Sequence, residues 1–454
     1  MLSQISKRSG ALNPSSSTSS PSAAAAGDSA DSSAAAITVA SAAIAAGDPA
    51  VSASFRFHRP RGPVCGRGYC HQCEVPTSGG RELACQVSPV VARPRPRRDP
   101  LRPLGKLAER FPPWFYESQM LRPAPLRGMS LHVLRYLSAA PSLSAAAPGS
   151  SARQIAASRA LPYSEIDADV AVVGSADPYP GAYRADLAQG SLAIGLYPGR
   201  VLGVVSERGL EAVRFGRIVL ATGSYDRLPP VEGNDLPGVI GLGALERYGE
   251  AGALAAGMPV AVWAPQDQRS RAIACAERFG LSLAWMDEQA PERILGRGRV
   301  TGIQASGGRV SCELFVTAVR QPAVELALQG GAAARLTSDG LPILAVIQTP
   351  DWMELTGSAA LQTSGVPDVA AADGSFACLC EDVRAGDLKD CVAQGFGHPE
   401  LVKRRTGAMT GPCQGKLCSA SVLAVLRDLG CESGPIRARP LARPVTLREL
   451  AADA

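Results

Sequence analysis

The sequence is short of several things, and each shortage closes off a class of function. No apolar run reaches 18 residues, so no membrane-spanning helix is expected. Aromatic residues make up 5% and the net charge is only +5, which removes the stacking platform and the basic field of a nucleic-acid binder. There are only four histidines: His58, His71, His132 and His398. No Ser-His-Asp or H-E-x-x-H pattern accompanies them, and the acids are dispersed as solvated charges, so no hydrolytic constellation stands out. The N-terminus lacks the apolar core of a secretory signal. Its Ser/Arg content and late first acid, Asp28, share features with an organellar transit peptide, but a disordered tail is the plainer reading.

What is present is enough for a core. A chain of 454 residues with 46% apolar content predicts about three domains. From residue 167 onward, short apolar runs alternate with helical stretches. DADVAVVG (167–174), FGRIVLATG (215–223), PVAVW (259–263) and ELFVTAV (313–319) read as strands, and QRSRAIACAERFG (268–280) as a helix. That pattern predicts a parallel α/β sheet. Nearer the N-terminus, AAITVASAAIAAG (35–47) reads as a short helix stopped by Gly47, and SFRFHRP (54–60) as a strand ended by Pro60.

Cysteine is the residue in excess. Eight of the twelve fall into two tight groups: Cys65, Cys70, Cys73 and Cys85, then Cys378, Cys380, Cys413 and Cys418. The others, Cys275, Cys312, Cys391 and Cys431, are scattered. Pairs this close, with no signal peptide, read as metal ligation rather than a disulfide framework. The first spacing, C-x4-C-x2-C-x11-C, is that of plant-type [2Fe–2S] ferredoxins. Gly66 and Gly68 supply the turns such a loop needs. Arg56, Arg59, Arg61 and Arg67 are candidates to offset the cluster charge, and His71 reads as a surface residue rather than a ligand. The second group, C-x-C-x32-C-x4-C, precedes an apolar stripe of Val422, Val425, Leu426 and Leu429. That helix would begin at Cys418 and turn its N-terminal dipole toward the site. Leu388 and Val392 mark a second small helix, and Lys403, Arg404 and Arg405 add charge nearby. Zinc is the rival metal at both groups.

FRFHRPRGPVCGRGYCHQC resembles the ferredoxin-like module of a flavoprotein group. The group comprises hydrogen cyanide synthase, opine oxidases, hydroxyproline and proline dehydrogenases, and the alpha subunit of heterotetrameric sarcosine oxidase. KRRTGAMTGPCQGKLC resembles the bacterioferritin-associated-ferredoxin-like [2Fe–2S] domain of the same alpha subunits. IVLATGSYDRLPPVEGNDLPGV (218–239), VRQPAVELALQGGA (319–332) and ARPVTLRELAA (442–452) match further segments. The resemblance implies two [2Fe–2S] clusters on the eight cysteines. It also implies a partner FAD subunit that oxidises an amine or imino acid, and an acceptor such as a quinone or cytochrome.

One expected feature is missing. After DVAVVG the chain runs SADPYPGAYRADL, where Pro178 and Pro180 forbid the helix that a G-x-G-x-x-G turn should open. About 45 residues separate this strand from ATG, too few for a full nucleotide-binding half. The second site, VAVWAPQDQRSRA (260–272), has no glycine where backbone must approach pyrophosphate. Conventional FAD or NAD binding is therefore not expected. Gly174, Ala221, Thr222 and Gly223 are the remaining candidate flavin contacts, with a structural turn as the plainer reading of ATG.

The expected architecture is α/β multidomain. It comprises a tail (1–34), a ferredoxin-like domain (35–92), an Arg/Pro-rich connector (93–165), a degenerate dinucleotide-binding core (166–375) and a small helical [2Fe–2S] domain (376–454). The leading reading is a cytoplasmic electron-transfer subunit, any membrane association being made through a partner or the basic 91–128 segment. A self-sufficient FAD-dependent oxidoreductase and a zinc-stabilised scaffold are the alternatives.

Overall fold

The computed structural model describes residues 37–77, 80–89, 161–176, 179–186, 190–206 and 208–431, with isolated positions at 103 and 106 and short pieces between 437 and 453. The expected tail and most of the connector lie outside the described residues.

The first helix is Val39–Ala45. It starts where Thr38 and Ser41 exchange hydrogen bonds: the Ser41 amide donates to Thr38 Oγ1 at 3.2 Å, and the Thr38 amide to Ser41 Oγ at 2.8 Å. It stops at Gly47, whose φ of +68° suits glycine. Ala40 and Ile44 pack with Cys73, Val75 and Ala84, and with Ile240 and Leu245 of the α/β core, so the first module sits directly on that core. SFRFHRP is not a strand. Only Ser52–Ala53 and Pro60–Arg61 pair, and residues 54–59 turn between them. The cause is tertiary: the Phe57 amide donates to Asp382 at 2.9 Å and its ring is buried, while His58 takes a φ of +53°.

Two parallel sheets follow. In the first, Leu161–Gly174 runs parallel to Gly209–Ala221 from Tyr163 opposite Leu210 to Gly174 opposite Ala221. Tyr183–Ala185 and Met353–Leu355 flank this pair, also parallel. Strands Leu192–Tyr197 and Val201–Ser206 extend it as an antiparallel meander. In the second sheet the order is Val239–Gly241, Leu314–Thr317, Pro259–Trp263, Ser282–Asp287, all parallel. Leu314–Thr317 is buried throughout, which is why its sequence is a continuous apolar run rather than an alternating one. Helices Leu242–Glu250 and Gln266–Arg278 serve this sheet, followed by a meander over 293–310.

The first sheet departs from a nucleotide-binding half at one point. Only eight residues, 175–182, join Gly174 to the neighbouring parallel strand at Tyr183, whereas a helical crossover needs a dozen or more.

The C-terminal unit holds a small strand pair, Phe376–Cys378 with Val383–Arg384, and three helices: Ala385–Ala393, Pro399–Thr406 and Ser419–Asp428. The middle helix is additional to the two expected. His398 caps it by accepting the Glu400 amide at 3.2 Å, and Gly407 ends it in the left-handed region at φ +78°. Val422, Val425 and Leu426 are buried as the stripe predicts, but Leu429 is 38% exposed because the helix has already ended there. Phe57, Val64, Cys65 and Cys70 share one core with Phe376, Cys378, Leu388 and Leu426. The two ends of the chain are thus packed together.

Candidate metal centres

Cys65, Cys70 and Cys73 lie on one loop. The hairpin Glu74–Thr77 with Gly80–Leu83 returns the chain so that Cys85 joins them. All four are buried, Cys85 being the most exposed at 7%. Cys65 hydrogen-bonds to Cys70 and Cys85, and Cys85 to Cys73. Gly66 and Gly68 take φ of +61° and +84°, as the loop reading requires. A Cβ on Gly66 would sit 3.1 Å from Ala244, so the loop also lies flush against a helix of the core. Burial alone would raise the Cys65 thiol. Hydrogen bonds from Cys70 and Cys85 and from the Arg67 and Cys70 amides outweigh it and hold the group well below the usual thiol range. The Arg67 amide reaches its sulfur at 3.4 Å.

The second group has the same character. Cys378 ends a strand, Cys380 lies in the turn beyond it, and Cys418 is the N-cap of helix Ser419–Asp428. Cys413 hydrogen-bonds to Cys380 and Cys418, and Cys418 to Cys378. Those bonds, with the Leu417 and Gly415 amides, hold Cys413 well below the usual thiol range against its burial. Gln414 and Gly415, at φ +53° and +87°, turn the backbone where the Gly415 and Leu417 amides face one sulfur. Lys416 Nζ donates to the Cys413 carbonyl at 3.3 Å.

The two groups touch. Gln72 Nε2 donates to the Cys70 carbonyl at 3.0 Å and to Cys380 Sγ at 3.2 Å, and Cys380 Sγ lies 4.0 Å from the Cys70 carbonyl oxygen. Close by, the half-buried rings of Tyr69 and Tyr225 pack at a tilt of 49° with centroids 4.7 Å apart. Tyr69 donates to Asp226 at 2.5 Å and Tyr225 to Glu325 at 2.9 Å. Among the described residues no set of three or more His, Cys, Asp or Glu side chains is arranged to hold a single metal ion.

The scattered thiols behave differently. Burial pushes Cys275 up to about 11 and Cys312 up to about 12. Cys391 is buried with its sulfur 3.8 Å from the Phe396 carbonyl, outside both groups. His71 faces Glu74 at 3.4 Å.

The arginines expected around the first group are mostly engaged elsewhere. Arg59 and Arg61 each bind Asp235 at 2.6 Å, Arg61 also binds Asp382 at 2.5 Å, and Arg56 faces Glu381 at 3.8 Å. Lys403 pairs with Glu400, and Arg405 donates to Gln394. The cation that sequence reasoning missed is Arg227. It is 2% exposed, feels the charge of Cys418, and has no hydrogen-bond partner for Nε or Nη1.

The candidate flavin contacts sit together but are occupied structurally. A Cβ on Gly174, at φ +92°, would fall 2.2 Å from the Ala221 carbonyl oxygen. Thr222 Oγ1 donates to the Ala323 carbonyl at 2.8 Å, and Gly223 accepts the Ala323 amide at 3.1 Å. At the second expected nucleotide turn, Trp263 is fully buried with its indole on the Glu288 carbonyl at 3.0 Å, and Pro265 caps the helix.

Residues 33–93 match the 2Fe-2S iron-sulfur cluster binding domain family, and residues 372–454 the Sarcosine oxidase A3 domain family. An opine oxidase subunit of Rhizobium meliloti (strain 1021) is 32% identical over 160 residues, 34% of this chain and 30% of that protein. Its counterpart in Agrobacterium tumefaciens (strain Ach5) is 30% identical over 86 residues, 18% of this chain and 17% of that protein. Each match therefore spans less than a third of the curated relative. The crystal structure of L-proline dehydrogenase from P. horikoshii superposes with a TM-score of 0.63 over 91% of this chain and 94% of that one, at 14% identity, a likeness of fold. The chain is thus a mixed α/β multidomain protein with a 2Fe-2S domain and a core of the same fold as that dehydrogenase structure. Its two ends match a 2Fe-2S cluster-binding domain family and the Sarcosine oxidase A3 domain family, and a stretch of 160 residues is similar to an opine oxidase subunit.

Proposed function

We propose that this chain is the iron–sulfur electron-transfer subunit of a flavin-dependent amine or imino-acid dehydrogenase complex. In this reading Cys65, Cys70, Cys73 and Cys85 hold one [2Fe–2S] cluster, and Cys378, Cys380, Cys413 and Cys418 hold a second. The observation that carries it is the contact between the groups through Gln72 and Cys380, which sets two sulfur sites in series.

The donor sets fit such clusters. Each is four buried thiols linked by hydrogen bonds, one of them held toward thiolate by its neighbouring thiols and, to a lesser extent, by backbone amides. Near the second, Arg227 offers two buried, unpartnered donors that an anionic centre would satisfy. A bound [2Fe–2S] centre supplies one-electron chemistry. The residues around it keep water away, fix the sulfurs and bias the potential.

The core supports a scaffold role. The short link after Gly174, the engaged Thr222 hydroxyl and the buried Trp263 support this reading. Substrate oxidation is accordingly assigned to a partner FAD subunit, with a quinone or cytochrome as acceptor.

Anaerobic purification with metal, sulfide and flavin analysis tests this. About four iron and four sulfide per chain are expected, two per cluster, without stoichiometric flavin. Stoichiometric flavin on the chain alone would make it a self-sufficient flavoenzyme. Zinc with no acid-labile sulfide would make it a scaffold.

A further inference from the structure

Gln72 stands between the two cysteine groups. It is 4% exposed, one residue before Cys73, and its amide engages Cys70 and Cys380 at once. Both partners are acceptors, a carbonyl oxygen and a sulfur, so the side-chain NH2 is the end that satisfies them. The Gln72 backbone amide also donates to the Cys70 sulfur. One residue therefore binds a sulfur of each group, by backbone on one side and side chain on the other.

We propose that Gln72 is a positioning residue that couples the two centres and raises the reduction potential of the second. The inference rests on the eight cysteines being cluster ligands. A hydrogen bond to a ligand sulfur favours the more negatively charged, reduced state. In a buried setting it acts more strongly than it would in water. The Cys70 carbonyl fixes the amide, so donation to Cys380 needs no reorganisation when charge arrives. Because the same amide is tied to the first loop, any shift of that loop changes donation to the second group. The charge of Gln72 is zero, so its effect is directional rather than a general offset, unlike that of Arg227.

The test is an EPR-monitored redox titration of the anaerobically purified full chain and its Gln72→Leu variant. Iron and sulfide are counted first. Samples of Cys85→Ser and Cys380→Ser assign the signals, since each disturbs one centre. Gln72→Leu is expected to keep its iron. Reduction of its second centre should become about tenfold less favourable, a lowering of ~59 mV for a one-electron couple, with a smaller change at the first. Full iron with an unchanged second potential overturns the proposal alone. Parent protein without iron overturns the ligand assignment itself, and the proposal with it. If Gln72→Leu loses iron, Gln72→Met, which keeps length without a donor, decides. Loss of iron there too overturns the proposal in favour of a purely structural role.

Discussion

Arg61 and Asp382 meet as a buried ion pair, guanidinium Nη2 to carboxylate Oδ1 at 2.5 Å, with neither side chain more than 2% exposed. The second arm of Arg61 binds Asp235 of the α/β core, which Arg59 also grips. Burial would raise the Asp235 carboxyl, but Arg61 and Arg59 hold it below its usual range. One guanidinium thus ties together the first cysteine module, the core and the C-terminal unit. Removing one partner strands the other's charge in the interior, at a cost of about 3–5 kcal/mol. Asp382→Ala is therefore expected to unfold at markedly lower denaturant than the parent. The Phe57 amide loses its acceptor in the same variant. Urea unfolding followed by circular dichroism measures this, and a change below ~1 kcal/mol would contradict the assigned role.

The cysteine groups make a counting prediction. Cys85→Ala and Cys413→Ala should each halve the iron, from about four to about two per chain, because each removes one cluster's ligand. Cys391→Ala and Cys431→Ala should leave it unchanged, since neither thiol lies in a group. A drop in iron for either of the latter pair would show that the ligand sets are wrongly drawn.

Arg227 gives a prediction with two opposite signs. In the metal-free chain its unpartnered donors are a liability, so Arg227→Met should stabilise that form by about 1–3 kcal/mol. In the loaded chain the same change removes a buried cation near Cys418 and should lower the potential of the second centre. Stability and potential moving in the same direction would be inconsistent with this placement.

Gly174→Ala separates scaffold from cofactor site. The added methyl meets the Ala221 carbonyl in a backbone conformation that alanine resists, so a loss of more than about 1 kcal/mol is expected. Calorimetry of the chain without added flavin checks it. A loss seen only when flavin is present would point instead to a cofactor contact.

The gathering of the first cysteine group was legible in the sequence because its spacing is local. A loop carrying x4 and x2 intervals has few ways to fold around a metal, and the hairpin that returns Cys85 follows within a dozen residues. The parallel sheets were legible too, since Ile218–Leu220 and Leu314–Val316 are buried throughout and read as short apolar runs. What stayed hidden was set by distant contacts. Residues 54–59 alternate like a strand, yet Asp382 captures the Phe57 amide and bends them. Arg59 and Arg61 look like free cations until Asp235 and Asp382 arrive from other parts of the chain. Gln72 and Arg227 carry no local signal, because their meaning depends on Cys380 and Cys418 folding back against them.

Stability at alkaline pH should carry a signature of Cys312. This thiol is 2% exposed beside strand Leu314–Thr317, and burial pushes it up to about 12. In the unfolded chain a thiol titrates near ~8.5. Between those values the native state holds a proton that the unfolded state has lost. The stabilisation is therefore complete below ~8.5 and declines as pH rises toward 12, by up to about 1.4 kcal/mol per unit. Cys312→Val fills similar space and does not titrate. Under reducing conditions, urea unfolding at pH 7.5 and pH 10 should show the variant gaining about 1–2 kcal/mol on the parent between the two. Other titrating groups are common to both proteins and cancel in the comparison. An equal difference at both pH values would mean that the Cys312 thiol ionises in the folded chain as it does in water.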